Sequence, residues 1–463
     1  MQVNLFGTAT AAKSQNVTSQ RRVNLYAEVP ANPDRSPFTL YCTPGLTLFA
    51  DLTGNPIRGM YSRGSSMFVV QQGALYEVSS SGTVTNRGTL STVVGTVCMS
   101  DNGAQLFIVD GVAAYTYTYA STTFAVVADA DFPNGATTCT YSDRLFIVEK
   151  AGGQRFYLSG IDDGQSWDSN DFASADSNPD DLVRVYADHG ELIPFGTYTT
   201  EFWGWNGATD FPYQRLTAIE WGLAAKWSVT KFSSSLMFLG RNRLGNVQVV
   251  LLNGYTPQAV STPEIDTIIN GYDVTSDATA FSYMLNGHAF YEITFPDAGK
   301  TWLYDGTSGV WSEVQSDGGR HRAQFAAQIE NAMYVSDYQS GKLYLLDPST
   351  YTENGASITR SVTTRHVWQG GDFLSVASLW VDMETGVGLA SGQGSNPQVM
   401  LRVSRDGGHS WSSTLTAALG KVGEYARRVL WRRLGRSRDF TFELSVSDPV
   451  KVVFLGGFMD LKK

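Results

Sequence analysis

LFIVDGVAAYTYTYA, residues 106–120, sets the architecture of the chain. Leu106 to Val109 is a short apolar run that stops at Asp110-Gly111, a dipeptide suited to tight hairpin turns. An alternating run follows, in which Tyr115, Tyr117 and Tyr119 fall on one face because strand side chains repeat every two residues. Two short strands and a turn cannot bury themselves, so the unit needs neighbours of its own kind.

Such units recur. Met67 to Val70 and Ala74 to Val78 flank a glycine turn, and Ser81-Gly82 closes the next one. Arg144 to Glu149 and Gln154 to Ser159 read as a hairpin around Gly152-Gly153; Leu236 to Leu239 and Val247 to Leu252 read as another. Ala289 to Phe295, Thr301 to Tyr304, Val310 to Val314, Ala332 to Ser336 and Lys342 to Leu346 continue the series. The span from Leu40 to Ser349 is about 310 residues; at roughly 40 to 50 per four-stranded blade it holds six or seven blades of a β-propeller. A stack of sandwiches would give the same pattern. Beyond it, Val376 to Met383, Gln398 to Ser404, Thr441 to Ser447 and Val450 to Phe454 suit a β-sandwich of about 100 residues. LTAALGKVGEYARR, residues 415–428, is the one stretch that also scans as helix, weakened by Gly420 and Gly423. The expectation is an all-β chain: an N-terminal arm (1–38) with Pro30, Pro33 and Pro37, a propeller (39–350), and a C-terminal β-sandwich or platform domain (351–463).

Composition agrees. The 463 residues include 46 glycines and 12% aromatics, with 17% charged residues, which favours strands joined by tight turns. A formal charge of −10 argues against a general nucleic-acid binder, whose affinity comes from Lys and Arg displacing counterions. Cys42, Cys98 and Cys139 are odd in number and far apart, so they are expected buried and reduced. The start, MQVNLFGTATAAKSQ, lacks the basic and apolar pattern of a signal peptide, and no stretch has the length of apolar residues that spans a bilayer. Synthesis in a cytoplasm without membrane insertion is expected.

Two segments share a turn: GIDDGQSW (160–167) and SRDGGHSW (404–411). Both have the spacing of an Asp box. Asp162, Gly164 and Trp167, and likewise Asp406, Gly408 and Trp411, would supply a carboxylate for backbone N–H groups, a glycine with positive φ and an indole under the corner. Asp131-Phe132-Pro133 and Asp210-Phe211-Pro212 form a second, fainter repeat. Asp boxes invite a glycoside-hydrolysing or carbohydrate-binding reading, and Asp162-Asp163 and Asp180-Asp181 are carboxylate pairs. Nothing in the sequence makes any pair converge. His189, His288, His321, His366 and His409 are isolated, with no zinc or HExxH spacing, and His321 in GGRHR reads as a solvated basic turn. GLASGQGSNP, residues 388–397, lacks the Lys and helix of a phosphate loop. No catalytic, cofactor or metal residue is expected.

The outstanding charge feature is RRVLWRRLGRSR, residues 427–438. Arg427, Arg428, Arg432, Arg433, Arg436 and Arg438 stand without an acid among them; without their six charges the chain's −10 becomes −16. Three readings apply: a solvated edge strand, a contact with DNA phosphates, or a subunit interface in which Arg forks meet carboxylates and Trp431 is the anchor. The third predicts that Trp431→Ala disturbs assembly more than folding.

This segment resembles the end of the packaged-DNA stabilization proteins, the tail hub or nozzle proteins of short-tailed (podovirus) bacteriophages. The likeness extends to VNLYAEVP with Thr43 to Leu46, and to the central block holding Asp163, Trp167, Asp171, Phe172, Ala175, Pro179 and Asp180, followed by Gly196 to Trp203. The resemblance implies a non-enzymatic virion tail subunit. It would form a hexameric ring below the portal-adaptor ring and pass double-stranded DNA without specific binding. It would also hold a tail needle or plug and support tailspikes or fibres. The acidic remainder would then line the channel and outer face, and the arginine strand would sit at subunit joints.

Overall fold

The computed structural model describes residues 2–3, 5–30 and 38–462. Seven four-stranded antiparallel sheets follow one another as blades. Blade 1 is Ile57–Arg63, Ser66–Gln71, Ala74–Ser79 and Val84–Thr89. Blades 2 to 6 occupy residues 98–126, 136–174, 182–219, 222–259 and 279–313; in blade 5 the innermost strand is split into Gly222–Leu223 and Thr230–Phe232. Blade 7 takes three strands from residues 323–347 and its fourth, Gly45–Asp51, from the N-terminal side of blade 1. That antiparallel pairing, Lys342 opposite Asp51 and Asp347 opposite Gly45, closes the ring.

The ring holds because each blade is apolar on both faces. In the second strand of a blade every residue faces one neighbour or the other, so the strand reads as an unbroken apolar run. Leu106, Phe107, Ile108 and Val109 are all fully buried, as are Phe146, Ile147 and Val148. Seven separate apolar clusters fill the seven blade junctions, including the closing one, where Ile57, Met67 and Val69 of blade 1 meet Ala327, Ile329 and Leu343 of blade 7. Tyr115 and Tyr117 point together toward Phe68 of blade 1, as the alternation requires.

An eighth cluster is the core of the sandwich. One of its sheets runs Leu25–Glu28, Thr39–Cys42, Val453–Lys462, Leu374–Met383 and Val429–Ser437, with Gln2–Val3 also on Val453–Lys462. The other runs Arg21–Val23, Arg360–Thr363, Asp439–Val446, Gln398–Ser404 and Leu415–Ala418, with Val367–Trp368 also on Asp439–Val446. Arg21–Val23 also lies parallel to the outer strand of blade 6, Val23 opposite Glu313, so sandwich and blade share one ten-stranded sheet. The arm expected at 1–38 is therefore woven into the sandwich, and Thr39–Cys42 goes with it; Pro33 and Pro37 lie outside the described residues.

Two local expectations differ from what forms. Residues 415–428 make a short strand and an exposed turn, with Gly420 and Gly423 at φ 109° and 83°, which a helix does not admit. The helix lies instead at Pro263–Ile269, where Thr262 caps the Ile265 N–H and Pro263 occupies the first turn.

Candidate functional site

The six arginines sit on the free edge of a sandwich sheet. Val429–Ser437 pairs with Leu374–Met383 and breaks register where Arg433 (φ 60°) and Gly435 (φ 97°) take left-handed backbone. A bulge of this kind resets the alternation. Val429 and Trp431 point inward before it, Leu434 and Ser437 after it, and every arginine from Arg427 to Arg438 is left exposed. This explains why neither face of the segment is cleanly apolar in sequence.

Trp431 is 5% exposed and belongs to the sandwich core, so the chain itself covers it. Its place as an anchor for a partner is thereby corrected. The aromatics beside the arginines are others: Arg428 lies over the half-buried Trp380 at 4.8 Å, and Arg436 and Arg438 lie over the exposed Phe373 at 4.9 and 4.6 Å. Arg405 reaches across and donates to the Leu434 carbonyl at 2.9 and 3.1 Å, occupying part of the open edge.

The two Asp-box turns are built differently. Asp162, at φ 55°, accepts from Tyr141 Oη at 2.6 Å and from Arg144 at 2.5 and 2.7 Å, and these partners hold its carboxyl below the usual range. Gly164 does not supply a positive φ; it allows close packing, since a Cβ there would lie 2.7 Å from Phe107. Trp167 is buried against Phe107 and Phe132 and donates to the Gly164 carbonyl at 2.9 Å. In the second turn, in the sandwich, Asp406 accepts from Ser410 N–H and Ser404 Oγ at 2.8 and 2.7 Å. Hydrogen bonds from Ser410 and Ser404 draw its carboxyl down to about 2. Gly408 has φ 99°, and Trp411 is half-buried with Arg402 over its ring at 5.5 Å.

The carboxylate pairs serve loops. Asp180 accepts from the N–H groups of Tyr198 and Thr199 at 2.6 and 3.0 Å, and Asp163 from Gln165 N–H at 2.9 Å. A cleft of about 440 Å³ between blades 4 and 5 holds Asp188 and Glu191, engaged by Lys231 at 2.9 Å and Tyr255 at 2.5 Å. Among the described residues no group of three or more His, Cys, Asp or Glu is placed to hold a metal ion.

Sequence reasoning missed the joint between propeller and sandwich. Arg22, 3% exposed, has no carboxylate partner among the described residues; it donates to the carbonyls of Gly7, Thr8, Ala9 and Trp311 at 2.7 to 3.1 Å, and burial lowers it to about 10. Its neighbour Arg21 forms a two-pronged pair with Glu313 at 2.6 and 2.7 Å. His321 is not a solvated turn. It is 4% exposed, its Nδ1 is 2.5 Å from Glu292, and Glu353 lies at 3.9 Å; burial lowers it, but the carboxylates outweigh that and raise it. His288 pairs with Asp305 and His366 with Asp439, both at 2.8 Å. Cys98 and Cys139 are buried and Cys42 half-buried, all as free thiols.

Side chains of six blades, among them Met60, Met99, Tyr186, Trp227, Phe281 and Phe325, line a cavity of about 300 Å³ about the propeller axis.

Residues 1–351 match a family described as bacteriophage P22 Gp10, β-propeller, and residues 359–462 match bacteriophage P22 Gp10, β-sandwich. The chain belongs to the P22 Gp10 family. It is accordingly a phage structural protein of the packaged-DNA stabilization class and a virion component. No curated protein matches it. Similar solved structures include the Neurospora crassa Pan2 WD40 domain (7% identity, TM-score 0.42), with 65% of this chain and 95% of that one covered. The Doa1 WD40 propeller aligns at 11% identity over 65% and 96% of the two chains, TM-score 0.40. A chain of the mitotic checkpoint complex aligns at 14% over 69% and 93%, TM-score 0.43.

Proposed function

We propose that this chain is a subunit of a closed ring, a hub or nozzle in the phage tail, which retains packaged DNA and later conducts it out. Family membership supplies the DNA-retaining role. The observation that carries the ring is the narrowness of the propeller axis: a cavity of about 300 Å³ admits no duplex, so a DNA conduit would lie between several copies. Six copies, seated on the portal-adaptor ring, would leave the propellers as walls. A wall that grips phosphates slows ejection, because affinity climbs steeply with each neutralised phosphate. The −16 balance outside the arginine edge suits a lumen along which DNA slides. Attachment of a needle or plug below and of tailspikes or fibres at the side completes this reading, with assembly in the host cytoplasm.

Negative-stain imaging of the purified chain with the neighbouring tail proteins tests it. Rings coaxial with the adaptor are expected; a chain that stays monomeric beside an assembled adaptor would refute the ring.

A further inference from the structure

We propose that the arginine edge of the sandwich docks on an acidic bulge of blade 3 in a second copy of this chain; this rests on the ring reading. The edge is charged and uncompensated: its six guanidinium groups are exposed, and among the described residues none forms an ion pair within the chain. Three lie over rings, which leaves their hydrogen-bond donors pointing outward. A surface of exposed Arg beside Phe373, Trp368 and Tyr425 has the composition of interface centres.

The complementary surface is on the outer strand of blade 3, Asp163–Ser174. Ser159 of the adjacent strand faces Trp167 while Tyr157 faces Phe172, so residues 168–171 are pushed out of the ladder. The bulge carries Asp168 and Asp171. Asp168 accepts from Asn170 at 2.9 and 3.0 Å. Asp171 is half-buried, and its carboxyl is raised by that burial and by the charge of Asp168. Asp181 stands exposed just beyond, as does Asp176, which meets Arg215 at 3.1 Å.

The placement suits a ring. A heterologous interface needs two different patches on the subunit. The sandwich joins blade 6 through Arg21–Val23, and blade 3 is three blades removed from that joint. A guanidinium edge on one flank and a carboxylate bulge on the other join head to tail.

Sedimentation equilibrium of the full-length chain at low and high salt tests the pairing. Arg432→Glu with Arg436→Glu, or Asp168→Arg with Asp171→Arg, is expected to weaken self-association at least tenfold. All four substitutions in one chain should restore it to within about threefold of the original. Arg432, Arg436 and Asp168 are exposed and Asp171 is half-buried, and an unchanged thermal transition verifies the fold of each variant. Acidic-side variants that associate normally while arginine variants do not would overturn the blade 3 assignment and leave the ring intact. Loss of duplex DNA binding with unchanged association would overturn it in favour of phosphates. Wild-type chain with no self-association at any salt would overturn it outright, while rings formed on the adaptor would still uphold the function proposed above.

Discussion

Trp431→Ala separates a core role from an interface role. The indole is 5% exposed inside the sandwich, and removing a buried aromatic ring costs about 3–5 kcal/mol. Its Nε1 has no hydrogen-bond partner, and an unsatisfied buried donor costs about 1–3 kcal/mol, which the substitution relieves. The net loss is about 2 kcal/mol, which for a domain of roughly 100–150 residues lowers the melting temperature by roughly 5–15 °C. Trp431→Phe keeps most of the volume and drops the orphan donor, so it stays within about 1 kcal/mol of the parent. Urea unfolding followed by near-ultraviolet circular dichroism reads both, with the propeller transition as an internal reference. An unchanged sandwich transition in Trp431→Ala, accompanied by loss of rings, would refute the core assignment and reinstate the indole as an anchor.

Arg22→Met strips the donors from four carbonyls at the joint and should cost about 3 kcal/mol or more; faster proteolytic release of residues 5–20 would report it. Gly164→Ala forces a methyl to 2.7 Å from Phe107, and about 1–3 kcal/mol should be lost from the propeller transition in urea. His321 has a folded-state value raised above 6.5, so its contribution is complete below 6.5 and fades as pH rises through the folded value. The wild-type melting temperature should therefore fall over that interval, and His321→Asn should flatten the profile.

The hairpins were legible because propeller strands are short and buried on both faces, which writes apolar runs and turn dipeptides directly into the chain. LFIV at 106–109 recurs at 145–148, one blade later, and is the plainest trace of the repeat. Closure was not legible: Gly45–Asp51 and Lys342–Asp347 carry nothing that names each other across that separation. The arginine segment announced itself by charge, but its direction depended on the bulge at Arg433 and Gly435, and alternation alone misplaced Trp431. His321 was misread for a related reason. Its local sequence GGRHR is that of a solvated turn, while Glu292 and Glu353, which bury it, lie far away in sequence. At residues 262–266, Thr-Pro-Glu-Ile-Asp held a capping signal for the short helix that the strand pattern overshadowed.

The early strands have partners that are made late. Arg21–Val23 waits for Arg360–Thr363, Thr39–Cys42 for Val453–Lys462, and Gly45–Asp51 for Lys342–Asp347. A ribosome adding about 5–20 residues per second leaves these strands unpaired for roughly 15–80 s. During synthesis the chain therefore presents open strand edges, until Lys342–Asp347 fastens the propeller and Val453–Lys462 later finishes the sandwich. A truncation before residue 342 should leave neither domain complete.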